Sequence, residues 1–129
     1  GIHAVNKARL DGNEVPLVIG CGPIGLAVIA ALKGRGIGPI IASDYSPKRR
    51  ELAARLGADV VVDPAATSPF TTWEQHAKLS PEEISRLPAT IVPAAPLKPS
   101  VIFECVGVPG VIQHIFEQAP QNARVVIVG

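Results

Sequence analysis

The sequence predicts an α/β domain built on a doubly wound parallel sheet, with its strands in the order 3-2-1-4-5. Three observations lead there. Short runs rich in Val and Ile alternate with helical periodicities along most of the 129 residues. The apolar fraction is 47% and the aromatic fraction only 4%, so the core is made of Val, Ile, Leu and Ala, as in a sheet covered by helices on both faces. Gly20, Gly22 and Gly25 fall between the first apolar run and the first helical one, where the chain must turn sharply.

His3 to Leu10 reads as the end of a helix, closed by Asp11-Gly12-Asn13. Val15–Ile19 is the first strand. Pro23 to about Lys33 is the helix that follows, with Pro23 near its N-terminus, where a missing N–H costs nothing. Gly34, Gly36 and Gly38 end it, and Ile40–Ser43 is the second strand. Ser46-Pro47 fits an N-cap followed by a first-position proline. Leu52, Ala53 and Leu56 are expected on the buried face of that helix, with Gly57 as its C-cap. Val60–Val62 and Val101–Glu104 are the third and fourth strands. Val111, Ile112, Ile115, Phe116 and Ala119 recur at helical spacing, so Gly110–Ala119 is a helix, and Arg124–Val128 is the fifth strand.

Between the third and fourth strands the pattern breaks. Residues 63–100 hold seven of the thirteen prolines. Thr72-Trp73-Glu74-Gln75 and Ser80-Pro81-Glu82-Glu83 both fit capping boxes, so two short helices are expected there. Leu87 to Pro99 cannot be a central strand or a helix interior. The stretch from about residue 67 to 99 is therefore an irregular excursion outside the sheet, with Trp73 anchoring it by packing.

Charge and cysteine usage exclude several classes. Twelve Lys and Arg stand against eleven acids, which gives no reason for a nucleic-acid or acidic-membrane partner. The Lys48-Arg49-Arg50 run reads as a solvated helix start. The apolar stretch from Ile24 to Leu32 is too short to span a bilayer. No leader pattern opens the chain, and two cysteines make no disulfide framework, so a cytoplasmic protein with reduced thiols is expected. His3, His76 and His114 are scattered without ligand spacing, so no metal site is expected in the chain. No catalytic residue is assigned either, since no Ser-His-Asp set or carboxylate pair has local support.

The chemistry lies in the loop Gly20-Cys21-Gly22-Pro23-Ile24-Gly25. Gly20 permits the turn, Gly22 lets a pyrophosphate approach the backbone, and Gly25 lets the helix pack against the strand. The first N–H groups of that helix lack internal partners and face an anion. Asp44 follows the second strand, nineteen residues after Gly25, where a carboxylate can accept hydrogen bonds from the ribose hydroxyls of an adenine dinucleotide.

These segments resemble the medium-chain, zinc-type alcohol dehydrogenases. Val18 to Ala27 is similar to their cofactor loop, and Leu56-Gly57-Ala58-Asp59-Val60-Val61 to the segment entering their third strand. Phe103-Glu104-Cys105-Val106-Gly107 resembles the end of their fourth strand, especially in the polyol and threonine dehydrogenase branches, and Arg124 to Gly129 resembles their fifth. The resemblance implies a Rossmann domain that binds NAD in an oxidoreductase acting on alcohols or carbonyls. It also implies roles. Gly20, Gly22, Pro23, Ile24 and Gly25 would hold the pyrophosphate and nearby ribose, and Asp44 the adenine ribose. Tyr45 would lie against the adenine, with Arg49 at the ribose or phosphate edge. Cys105, Val106, Val128 and Gly129 would line the groove toward the nicotinamide. Residues 1–129 are then expected to be the cofactor domain alone, truncated before a sixth strand, with zinc held only by an absent catalytic domain. Gln121-Asn122 replaces the glycine pair common before the fifth strand.

Two other readings use the same residues. A non-catalytic nucleotide sensor would share the fold, and zinc ligands upstream in the full gene product would separate it from an enzyme. An adenosylmethionine-dependent methyltransferase would place an acid where Ile19 stands. Cys21 and Cys105, at the ends of neighbouring strands, fit small groove residues better than a redox pair. Glu104 needs a partner, more readily backbone than cofactor. His114 is expected on a solvated helix face. The first helix is apolar almost all round, and Val125 to Val128 form an apolar edge, so self-association through strand five, or rapid aggregation, is expected when this piece is made alone, and a homo-oligomer is expected.

Overall fold

The computed structural model describes residues 2–88, 97–120 and 123–129. Five parallel strands form one sheet. β1 (Val15–Ile19) lies between β2 (Ile41–Ser43) and β4 (Ser100–Glu104), with β3 (Val60–Val62) and β5 (Arg124–Ile127) outside them, giving the order β3-β2-β1-β4-β5. Register places Ile19 beside both Ser43 and Glu104. The carboxyl ends of the three inner strands are therefore level, and Gly20, Asp44 and Cys105 share one rim.

Helices cover both faces, as burial of Val- and Ile-rich parallel strands requires. α1 (Ile2–Ala8), α2 (Pro23–Gly34) and α3 (Pro47–Leu56) pack on the face that carries Val18, Ala42 and Phe103. α4 (Pro69–Ala77) and α6 (Pro109–Gln118) pack on the face that carries Leu17, Ile41 and Ile102. α5 (Pro81–Ser85) buries none of its residues. Apart from the start of α4, element boundaries fall within two residues of the sequence reading. No helix among the described residues is long and apolar enough to cross a membrane.

Two expectations are corrected. Only Ala53 of α3 is buried, while Leu52 and Leu56 are 37% and 43% exposed. α3 lies over the β2–β3 end of the sheet, and a small residue suffices for its close approach to α2. The leucines lie by β3, a three-residue strand at the sheet edge, and the described residues cover them only in part. The second correction concerns Thr72. Ser68 caps α4 instead, its Oγ accepting from Phe70 N at 3.3 Å. Thr72 sits one turn inside, its hydroxyl donating to the Ser68 carbonyl at 3.3 Å. Ser68-Pro69 carries the same signal as Ser46-Pro47, and the Thr72 pattern outshone it. At Ser80 the capping box is complete, with Ser80 Oγ accepting from Glu83 N at 3.2 Å and Glu83 Oε1 accepting from Ser80 N at 3.1 Å.

The excursion stays out of the sheet where it is described. Trp73 is buried, and its Nε1 donates to the Val15 carbonyl at 2.9 Å, which pins α4 to the start of β1. Lys78 and Leu97 form one isolated antiparallel bridge, and Lys98 N donates to the Ala77 carbonyl at 2.7 Å. Residues 89–96 of the proline-rich stretch, and Gln121-Asn122, lie outside the described residues. β5 pairs with β4 alone among the described residues, and Ile127 on it is exposed.

Candidate functional site

A cleft of about 1240 Å³ opens at the carboxyl rim of the sheet, where β1 and β4 part to receive helices on opposite faces. That switch point is where open parallel sheets bind ligands. Seven of the sequence-predicted residues line it: Gly20, Gly22, Asp44, Tyr45, Arg49, Cys105 and Val106. The other five do not. Pro23 and Ile24 lie exposed in the first turn of α2, Gly25 is buried beneath that turn, and Val128 and Gly129 follow β5 outside the lining.

The glycine loop is shaped by two steric demands. Gly20 has φ +97°, a left-handed conformation, and a Cβ there would meet Val106 Cγ2 at 2.8 Å. A Cβ at Gly25 would lie 1.8 Å from the Gly20 carbonyl oxygen. Gly22 then serves as the N-cap of α2 with no side chain over the helix end, and Pro23 follows at its first turn. The helix terminus is therefore open to the cleft.

Asp44 is held from several sides. Its Oδ2 accepts from Cys21 N at 2.8 Å and its Oδ1 from Ser46 N at 2.8 Å. Each oxygen keeps a further acceptor position. The Arg49 guanidinium stands 3.9 Å from Oδ2, with its side chain 56% exposed. Tyr45 is also exposed beside the cleft. Across the cleft, Glu104 is fully buried, and its Oε1 accepts from Val106 N and Gly107 N, each at 2.7 Å. That is the backbone role expected for it, and it fixes the turn that carries Val106.

Burial pushes the Cys21 thiol up to about 12, with the nearby Asp44 charge adding to the effect. Burial also pushes Cys105 up to about 12, with Glu104 and Cys21 contributing. Cys21 Sγ lies 3.6 Å from the Ser43 carbonyl. Neutral thiols make poor nucleophiles, which counts against a redox pair; of the two, Cys105 lines the cleft as expected, while Cys21 is fully buried outside the lining. The folded values lie above the ordinary 9.0, so above pH 9 the unfolded state sheds these protons first. The thiol contribution to stability is complete below about pH 9 and is lost as pH rises toward 12. Denaturant titrations from pH 8 to 11 should show stability falling, and Cys21→Ala should flatten that fall; an unchanged slope in the variant would contradict it.

The sequence reading missed part of the wall. Ala65, Thr67, Ser68 and Phe70 line the cleft from beyond β3, and Val111 and His114 from α6. His114 is exposed, as expected, but its ring meets Phe70 edge-on with centroids 5.9 Å apart. It stands three residues from Val111, on the same helix face, and that spacing was the available signal. Arg50, read from sequence only as part of a solvated basic run, is also half-buried against the cleft segments. Among the described residues no three His, Cys, Asp or Glu side chains are grouped to hold a metal ion.

The family model of the zinc-binding dehydrogenases matches residues 23–129. The chain belongs to this family. Among its relatives, (R,R)-butanediol dehydrogenase of Bacillus subtilis is 34% identical over 127 residues, covering 98% of this chain and 32% of that protein. Sorbitol dehydrogenase of Bos taurus is 33% identical over 130 residues, covering 100% of this chain and 32% of that protein. The crystal structure of 2R,3R-butanediol dehydrogenase from B. subtilis superimposes with a TM-score of 0.69 at 31% identity, over 98% of this chain and 31% of that one. A structure described as a zinc-binding dehydrogenase of Sinorhizobium meliloti 1021, bound to NADP, gives 0.70 at 26% identity, over 99% of this chain and 33% of that one. This zinc-binding dehydrogenase chain thus spans about a third of the length of these relatives. The match near polyol dehydrogenases agrees with the resemblance carried by Phe103 to Gly107, and family membership displaces the methyltransferase reading.

Proposed function

We propose that this chain holds NAD(H) for an NAD-dependent, zinc-type dehydrogenase acting on an alcohol or carbonyl substrate. The observation that carries the proposal is the Asp44 carboxylate, fixed at the cleft rim between the glycine loop and α3 with acceptor capacity to spare. The residues present fit a dinucleotide. The open N-terminus of α2 suits a pyrophosphate, approached over Gly20 and Gly22, and Asp44 suits the paired hydroxyls of a ribose. Tyr45 offers a flat apolar face to the adenine. Arg49, exposed beside Asp44, offers a cation to the ribose or phosphate edge. Val106 and Val111 make part of the opposite wall apolar. When bound, the nicotinamide supplies a hydride acceptor or donor. By the family resemblance, zinc would be held by residues of another domain, where it would polarise the substrate oxygen. A cytoplasmic setting belongs to the same proposal.

NAD is proposed over NADP. A 2′-phosphate would bring negative charge against Asp44 where a 2′-hydroxyl donates a hydrogen bond. Calorimetric titration with both cofactors tests this. NAD should bind about tenfold tighter or more, the scale of one hydrogen bond to a charged group. Asp44→Ser should narrow the ratio by weakening NAD. Tighter binding of NADP by the unmodified protein would overturn the assignment.

A further inference from the structure

Arg49 and Arg50 are neighbours on the first turn of α3, yet their side chains go to different places. Arg50 is only 19% exposed in its side chain. Its Nη1 donates to the carbonyl oxygens of Asp44 and Tyr45, at 2.9 Å each. The same nitrogen stands 3.9 Å from Asp63 Oδ2. Asp63 in turn shapes the segment after β3. Its Oδ1 accepts from Ala65 N at 3.0 Å, and its carbonyl accepts from Ala66 N at 2.9 Å and Thr67 N at 3.0 Å. One guanidinium therefore joins the segment after β2 to the segment after β3, and both segments line the cleft.

We propose that Arg50 is a positioning residue: it fixes the backbone of Asp44 and Tyr45 and so sets the discrimination of this cleft for the 2′-hydroxyl of an adenosine ribose. The proposal rests on the cofactor reading above. Arg50 is aimed at the backbone behind Asp44, whereas Arg49, 3.9 Å from the Asp44 carboxylate and 56% exposed in its side chain, faces the cleft. Cys21 N and Ser46 N hold the carboxylate oxygens of Asp44, and Arg50 holds its carbonyl. Removing Arg50 frees the peptide between Asp44 and Tyr45 to turn, and the carboxylate turns with it. Two charge-assisted bonds to carbonyls dominate this arrangement. The ion pair to Asp63 is long and partly exposed, so it contributes little. Lysine keeps the charge but has a shorter reach and no planar fork, so it should replace Arg50 only in part.

The test titrates the protein and its Arg50→Met and Arg50→Lys variants with NAD, AMP and 2′-deoxy-AMP, with thermal unfolding measured alongside. The unmodified protein should prefer AMP over 2′-deoxy-AMP by about tenfold, as expected for one hydrogen bond to a carboxylate. In Arg50→Met that ratio should fall to within about twofold of unity, and Arg50→Lys should lie between, because the positioning bonds are lost or weakened. A role in folding alone would weaken both nucleotides in parallel and leave the ratio unchanged, and that result in either folded variant overturns the proposal. If Arg50→Met does not fold, the Arg50→Lys ratio decides. An unmodified protein that binds NAD and AMP without preference for the 2′-hydroxyl also overturns it, while leaving the proposed function standing. Failure of all three ligands to bind the unmodified protein overturns both.

Discussion

Alanine at Gly25 is expected to cost the fold about 3 kcal/mol or more, beyond the usual range for one added methyl group. The added carbon would sit 1.8 Å from the Gly20 carbonyl oxygen and 2.8 Å from its carbon. Relief would require moving backbone. Gly20 cannot yield easily, because its N–H donates to the Ser43 carbonyl at 2.9 Å and its φ is already left-handed. Moving α2 instead would break its packing through Val28, Ile29 and Leu32. Gly34, at the far end of the same helix, is the control, since a Cβ there meets nothing within 4 Å. Urea unfolding of Gly25→Ala and Gly34→Ala should therefore separate sharply. A Gly25→Ala protein within about 1 kcal/mol of the original would show that the loop is not so tightly seated.

Trp73→Ala should cost about 3–5 kcal/mol, the range for emptying a large aromatic site. Trp73 is 2% exposed and fills the cluster of Leu17, Ile41 and Ile102 beneath α4. Its loss also leaves the Val15 carbonyl without the indole N–H. Trp73→Phe keeps most of the apolar area and loses that bond, so it should cost about 1–2 kcal/mol. The consequence reaches the cleft, because α4 carries Phe70 into its wall. Chemical denaturation followed by circular dichroism checks both variants. Equal costs for Ala and Phe would mean that the hydrogen bond, and not the packing, anchors this excursion.

The sheet was legible because its strands are short, Val- and Ile-rich and separated by helices with clear ends. Strand order followed from the alternation of strands and helices, which a doubly wound parallel sheet accommodates. Asp44 was legible because its distance from Gly25 is set by one helix and one strand. Features that depend on what lies across space were not. Leu52 and Leu56 have the periodicity of a buried face, but periodicity cannot show that the sheet ends beneath them. Thr72 fits a capping box, and only the competing Ser68-Pro69 start shows why it is interior. Arg50 looks like one more charge in a basic run. Its role depends on two carbonyls that the fold turns toward it.

The measurement that bears most directly on the central claim is a crystal structure of the protein with NAD bound. The account predicts the pyrophosphate over Gly20 and Gly22 at the N-terminus of α2, and the adenosine ribose hydroxyls within hydrogen-bond distance of the Asp44 carboxylate, with Arg50 still on the Asp44 and Tyr45 carbonyls. A dinucleotide bound elsewhere, or one whose ribose turns away from Asp44, would contradict it.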